Sequence, residues 1–259
     1  MEFIKASRRK SQLSEFAYIA LNVGLAVTLL LMVLFIENVW LPIIVVLISK
    51  WRIFAVRPRF WTINIVANMV DIIVGVGHVV LLLAAHSAVW VQILLTIGFV
   101  VWLLLVKPQS KRMYIVAQAL AAVFVGTTAL AMVAYSINPI VMVFGMWVIG
   151  YSAARHILSS YDEPYTKLYS LVWALLIAEL GWLGYHWLFV YSLPGAGNLK
   201  LVQLAFITTL LSFITEQCYA SYHKYKKLKT NDILMPILFS AGLVLVLLLF
   251  FNRISAGLV

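Results

Sequence analysis

Apolar runs of about 20 residues dominate the sequence and alternate with short polar or basic connections. A helical run of that length matches the thickness of the hydrocarbon layer of a bilayer. Only 11% of the 259 residues are charged and 64% are hydrophobic, whereas a soluble domain carries about 25% charged residues. The sequence therefore predicts an all-α integral membrane protein that forms one membrane domain over residues 1–259.

The apolar runs predict about nine transmembrane helices. Their expected ranges are 14–36, 38–50, 61–85, 88–106, 113–136, 138–157, 168–192, 199–222 and 232–251. The second range is the shortest, and a tilted or partly re-entrant segment is an alternative for it.

The basic residues predict the orientation of the chain. With the N-terminus inside, 17 of the 19 Lys and Arg residues fall on the inner side of the membrane, and only Lys200 and Arg253 fall outside. Such an asymmetry is the positive-inside pattern. We therefore expect a protein of a prokaryotic cytoplasmic membrane, with a cytoplasmic N-terminus and an outer C-terminus. Because the net charge of +10 follows this pattern, no nucleic-acid partner is expected.

One inner connection combines basic and aromatic residues in the stretch "KWRIFAVRPRFW" over residues 50–61. Basic side chains next to a charged leaflet are attracted to anionic headgroups. The stretch predicts headgroup binding by Lys50, Arg52, Arg57 and Arg59. A plain topology signal with aromatic anchoring is the alternative.

Short motifs recur in the same order in the two halves of the chain. "PIIVV" (42–46) corresponds to "PIVMV" (139–143), and "DIIVGVGH" (71–78) corresponds to "ELGWLGYH" (179–186). The pattern predicts two four-helix repeats, 14–106 and 113–222, followed by an additional helix over 232–251. Four helices form an even number, so both repeats enter the membrane from the same side and are related by an axis along the membrane normal.

The repeat predicts a polar axis through the apolar bundle. Residues three, four or seven positions apart share one face of a helix, and a polar face is expected to avoid lipid. Two acids should lie near the midplane at matching depth, with two histidines one layer further out. The residues expected to face the axis are Asn64, Asn68, Asp71, His78, Gln92, Glu179, His186 and Gln203.

This arrangement favours a transporter or permease for an ion or small molecule, with Asp71 and Glu179 as a proton-coupling pair. One alternative is an electron carrier in which His78 and His186 ligate a haem. Another is a scaffold or lipid-binding subunit without catalytic activity. A lipid-active enzyme would need Glu216 and His223, although a surface ion pair is the expected role of Glu216. The sequence contains no P-loop, GxGxxG or HExxH motif, so neither catalytic nor metal-binding residues are predicted.

Overall fold

The computed structural model describes residues 12–36, 38–187, 190–192 and 195–250. Two short strands, β1 (Val190–Ser192) and β2 (Lys200–Val202), form an antiparallel hairpin. The longer elements that the structure describes are ten α-helices: α1 (Gln12–Phe35), α2 (Trp40–Ser49), α3 (Trp61–Ala67), α4 (Met69–Ala84), α5 (Val89–Val101), α6 (Arg112–Ala134), α7 (Pro139–Ser159), α8 (Thr166–His186), α9 (Gln203–Tyr225) and α10 (Thr230–Phe250). The predicted all-α fold is confirmed apart from the hairpin.

Six described helices are long and apolar enough to cross a bilayer: Ser14–Phe35, Val89–Val106, Arg112–Ala134, Pro139–Ser159, Thr166–His186 and Thr230–Leu247. The bent pair α3 and α4 makes a seventh if it counts as one span. With 10 residues, α2 is short for a span, and α9 contains more polar residues than the six. The helices are those of a multi-pass membrane protein, while the count of nine and the orientation stay predictions. The two chain ends lie outside the described residues.

The predicted helix 61–85 is interrupted at Asn68. Its side-chain Nδ2 donates to the Asn64 carbonyl at 2.8 Å, and its backbone leaves the helical conformation. Asparagine favours such local bonds over the regular helical pattern. The helical segments on either side, Pro58–Ala67 and Met69–Ala84, meet at an angle of 64°.

Two predicted helix ends are wrong at the hairpin. The helix expected over 168–192 ends at His186, and the helix expected from 199 begins at Gln203. Gly195 and Gly197 between the strands adopt φ values of +75° and +65°, which favour glycine. The turn between the strands therefore excludes a continuous helical connection at this end of the bundle.

Helix α6 lies at the centre of the bundle. In the apolar 18-residue stretch of α6, 56% of the residues are buried, compared with 17% in the same length of α1 and 11% in that of α10. It packs against α4, α7 and α9. The buried apolar residues of α1, α2, α4 and α5 form one cluster with Ala122 of α6, and those of α6, α7, α8, the hairpin and α9 form another. The two-fold relation between the predicted repeats stays a prediction.

The most extensive helix contact joins α7 and α8, and glycines permit it. A Cβ atom at Gly150 of α7 would lie 2.8 Å from Cβ of Ile177 in α8. In the other direction, a Cβ atom at Gly181 of α8 would lie 2.7 Å from Cγ of Met146 in α7. Small residues let helices approach closely where the hydrophobic effect offers little drive for association.

We predict that Gly150→Ala lowers the free energy of unfolding by about 1–3 kcal/mol, because the added methyl overpacks the contact of α7 with α8. Gly24→Ala is the matched control, since no atom lies within 4 Å of a Cβ at Gly24, and it should not destabilise the protein. Thermal unfolding in detergent measures both changes. Equal unfolding temperatures for the two variants would contradict the role of Gly150.

Candidate ligand cavity at the basic end of the bundle

Asp71 lies in the first turn of α4 and forms ion pairs with two lysines. Its Oδ2 is 2.9 Å from Nζ of Lys107 and 3.5 Å from Nζ of Lys50. The Asp71 side chain is only 16% exposed, so water does little to screen the attraction. We call the end of the bundle that carries Lys50, Lys107, Arg112 and Lys226 the basic end.

The two lysines of this cluster are not equivalent. Burial lowers the pKa of Lys50 to about 8, although the Asp71 carboxylate partly opposes the shift. Burial also acts against the charge of Lys107, but the attraction of Asp71 and further interactions outweigh it and raise the pKa of Lys107. Lys107 therefore stays charged beside Asp71, whereas Lys50 is the first of the two to lose its proton as the pH rises.

Asp71 and Glu179 are not brought together. Glu179 lies on an exposed face of α8. Helix α8 packs against α7 and α9, whereas α4 packs against α1, α2, α5, α6 and α7. The bend at Asn68 also places Asp71 near the start of a helix rather than ten residues inside a straight one. Two lysines then stabilise the Asp71 carboxylate better than a second carboxylate could.

The two predicted histidines also lie apart. His78 of α4 is buried, and its ring stacks on Phe99 of α5 with centroids 4.2 Å apart. His186 is exposed at the end of α8, where its ring contacts Trp182 and Tyr185. They share no described cavity, because His78 lines a cavity beside α5 that does not include His186. The structure therefore does not assemble the bis-histidine haem site.

Three of the four predicted amides, Asn64, Asn68 and Gln92, form local bonds in place of one polar axis. The side chain of Asn64 donates to the Ile53 carbonyl at 3.3 Å. The backbone carbonyl of Asn64 accepts the hydrogen bond from the Asn68 side chain. Gln92 is buried on α5 and donates to the Leu82 carbonyl at 3.0 Å, which ties α5 to α4. Gln203 is buried at the first position of α9. Interhelical and backbone hydrogen bonds are ordinary roles for such amides in membrane proteins.

A cavity of about 770 Å³ lies at the basic end between α6, α7, α8 and α9. Its inner wall is apolar and includes Val123, Ile157 and Trp173. Ionisable and aromatic side chains surround the remainder: Tyr161, Asp162, Glu163, Tyr165, Tyr169, Glu216, Tyr219, Tyr222, His223 and Lys226. A mostly apolar cavity with a few convergent polar groups is typical of ligand-binding sites.

Glu216 of α9 is the most deeply placed acid of this cavity. It is 6% exposed and its Oε1 accepts a hydrogen bond of 2.9 Å from the Tyr161 hydroxyl. Its Oε2 accepts a second bond of 2.7 Å from Nε2 of Gln217. Burial, and then the nearby Glu216 carboxylate, raises the pKa of the Tyr161 phenol, so Tyr161 stays protonated and keeps donating.

Glu163, on the connection before α8, is also bonded to a tyrosine, as Glu216 is. Its carboxylate accepts a hydrogen bond from the Tyr219 hydroxyl of α9. The rings of Tyr161 and Tyr219 pack edge to face with centroids 4.9 Å apart, and His223 contacts the Tyr161 ring at 5.1 Å. Two carboxylates and three rings therefore converge on one side of the cavity.

No ion pair is found for Glu163 or Glu216 among the described residues. The guanidinium of Arg112 lies over the ring of Tyr161, with Cζ 3.9 Å from the ring centroid. A shielded carboxylate that has no cationic partner is costly. The cavity thus offers negative charge next to aromatic faces, and both attract a cation.

Sequence reasoning placed Glu216 in a surface ion pair, and this expectation is wrong because the side chain is buried and bonded to Tyr161. The motif "TEQCYASYHKY" (215–225) does carry a signal, since Glu216, Tyr219 and His223 fall at helical spacing on one face. The contribution of "YDEPY" (161–165) could not be anticipated, because it depends on how α8 turns back along α7.

We predict that Asp71→Asn lowers the free energy of unfolding by about 1–3 kcal/mol, between the values for exposed and fully buried pairs, because it leaves two shielded lysines unpaired. Glu179→Gln is the control and should leave the unfolding temperature unchanged, since Glu179 is exposed and unpaired among the described residues. Thermal unfolding in detergent at neutral pH compares them. Adding Lys107→Met to Asp71→Asn should restore part of the loss.

Comparisons with known proteins return no match of any kind: no family model, curated protein or solved structure resembles the chain.

Proposed function

We propose that the protein binds and transports a small amphiphilic cation, with the cavity between α6, α7, α8 and α9 as its binding site. The observation that carries this proposal is the pair of carboxylates, Glu163 and Glu216, that face an apolar cavity without an ion-pair partner. An amine or quaternary ammonium group would neutralise them. The apolar part of the ligand would pack on the inner wall.

The aromatic rings support a cation over a neutral polar ligand. Tyr161 and Tyr219 are held by their hydroxyl groups to Glu216 and Glu163, and their rings pack edge to face beside the cavity. An organic cation gains from aromatic faces as well as from the carboxylates. The ammonium group of Lys226, which also lines the cavity, would select against a ligand with a second positive charge.

Glu216 is also the better candidate for a proton-coupling group. A carboxylate can hold either a proton or the cationic ligand, so binding of one releases the other. Asp71 cannot exchange in this way without losing two ion pairs, and Glu179 lies outside the cavity. Proton exchange at Glu216 would link uptake or export to a proton gradient.

We predict that the purified protein binds tetraphenylphosphonium, an apolar cation, and that Glu216→Gln weakens binding by about 10- to 100-fold, the range expected when a charged hydrogen-bonding partner is removed. Tyr161→Phe should weaken binding less, because it keeps the ring and removes only the hydroxyl. Isothermal titration calorimetry in detergent measures each affinity. Binding should also weaken as the pH is lowered, because protons compete for Glu216.

Glu179→Gln serves as the matched control, because it removes a carboxylate from α8 outside the cavity. Equal affinities for the wild type and for Glu216→Gln would contradict the site. Flux is tested in proteoliposomes with an imposed pH gradient. Binding without gradient-driven flux would favour a binding subunit over a transporter.

A second proposal concerns the partner of the segment between α2 and α3, which we infer to be the anionic headgroups of one leaflet. Arg52, Arg57 and Arg59 are exposed there, together with Trp51 and Trp61. Aromatic rings of this kind anchor at the membrane interface. Lys50 is omitted from the predicted set, because its amine is turned toward Asp71 and is only 12% exposed.

We predict that the triple change Arg52→Gln, Arg57→Gln and Arg59→Gln removes bound anionic phospholipid, at about 1 kcal/mol for each charge. Native mass spectrometry with phosphatidylglycerol measures retention. The matched control removes three other exposed charges, through Lys111→Gln, Lys167→Gln and Lys227→Gln. If both triple variants lose the same amount of bound phospholipid, net charge alone explains the binding, and the proposed headgroup site is contradicted.

A further inference from the structure

A second cavity of about 480 Å³ lies away from the basic end, between α4, α5, α6 and the turn of the hairpin. Its walls are apolar or aromatic, with Phe99, Trp102 and Val125 among the side chains that line it. Trp90 lines it as well, and its indole N–H already donates to the Gly195 carbonyl at 3.1 Å. Among the described residues, His78 is the only ionisable one that faces this cavity.

The hydrogen bonding of His78 is incomplete. Its side chain is 4% exposed, and Nε2 is buried without a hydrogen-bond partner among the described residues. A buried polar atom without a partner destabilises a fold, and each such atom in a native structure calls for an explanation. Lipid chains that enter the cavity could cover its apolar walls, but they could not bond to the imidazole.

The aromatic groups indicate the shape of the missing partner. The imidazole of His78 and the ring of Phe99 are nearly parallel, with an angle of 12° between them. The rings of Trp90 and Trp102 also line the cavity. Such surfaces pack well against another flat ring. A planar group with one polar atom fits these walls better than a flexible acyl chain.

We propose that this cavity binds the ring of a membrane-soluble quinone: a planar apolar ring that bears carbonyl oxygens and an apolar tail. One carbonyl oxygen accepts a hydrogen bond from Nε2 of His78, in the tautomer that carries its proton there. The ring packs among the aromatic walls, and the tail leaves toward the bilayer past the exposed side chains of Trp90 and Leu94. A volume of about 480 Å³ is within the usual range for a small-molecule site.

Gly98 of α5 gives direct experimental access to the cavity. It lines the cavity, and no atom lies within 4 Å of a Cβ placed on it. A large side chain at this position can therefore occupy the cavity without displacing a neighbour. Gly24 of α1 has equally open surroundings but does not line the cavity, so it provides the matched control.

The experiment titrates a decyl-substituted benzoquinone into the purified full-length protein in detergent and follows quenching of tryptophan fluorescence. The wild type and Gly24→Phe should show the same saturable quenching. Gly98→Phe should lose the saturable component. His78→Phe keeps an aromatic ring but removes the hydrogen bond, and it should weaken binding by about tenfold.

A second probe, decylbenzene, separates a quinone from an apolar chain. It has the tail and a ring but no carbonyl oxygen, so it should compete weakly with the quinone. Strong competition by decylbenzene, or equal quinone affinity in His78→Phe and the wild type, would overturn the proposal in favour of an acyl chain. Glu216→Gln should leave quinone binding unchanged, which keeps this test independent of the cation site.

Discussion

The structure depends on one constraint: a bilayer offers no hydrogen-bond partners, so polar groups inside the bundle are paired there or carry a cost. Most buried polar side chains that the structure describes form hydrogen bonds to nearby backbone groups. Thr208 and Ser212 return bonds to their own helix, and Gln92 bonds to α4. Asp71 obeys the constraint through two lysines. The exceptions among the described residues are therefore informative. They include Nε2 of His78, which lies against a cavity, as well as Oε1 of Gln92 and Nε2 of Gln203.

The central position of α6 explains why both candidate sites lie where they do. Helices of the first half pack on one side of α6, and α7 and α9 pack on the other. A cavity lies on each side. Val123 of α6 lines the cavity at the basic end, and Val125 lines the cavity of His78. The same helix thus separates a polar site at the basic end from an apolar one near the hairpin.

The glycines and the bend have complementary effects on this packing. Gly150 and Gly181 bring α7 and α8 into close contact, and both helices line the cavity at the basic end. The bend at Asn68 turns α3 away from α4 and brings Asp71 within reach of the lysines that end α2 and follow α5.

The sequence by itself determined the membrane class and the approximate position of every helix, because apolar length and the absence of charge are local properties. It also identified Asp71 and His78 as residues that avoid lipid. Their partners depended on tertiary structure, since the neighbours of α4 and the lysines that reach Asp71 come from segments distant in the sequence. For the same reason Glu179 was expected at an axis from which the structure turns it away. Tyr161 and Glu216 are 55 residues apart, and only the folding of α8 and α9 against α6 and α7 brings them to one cavity.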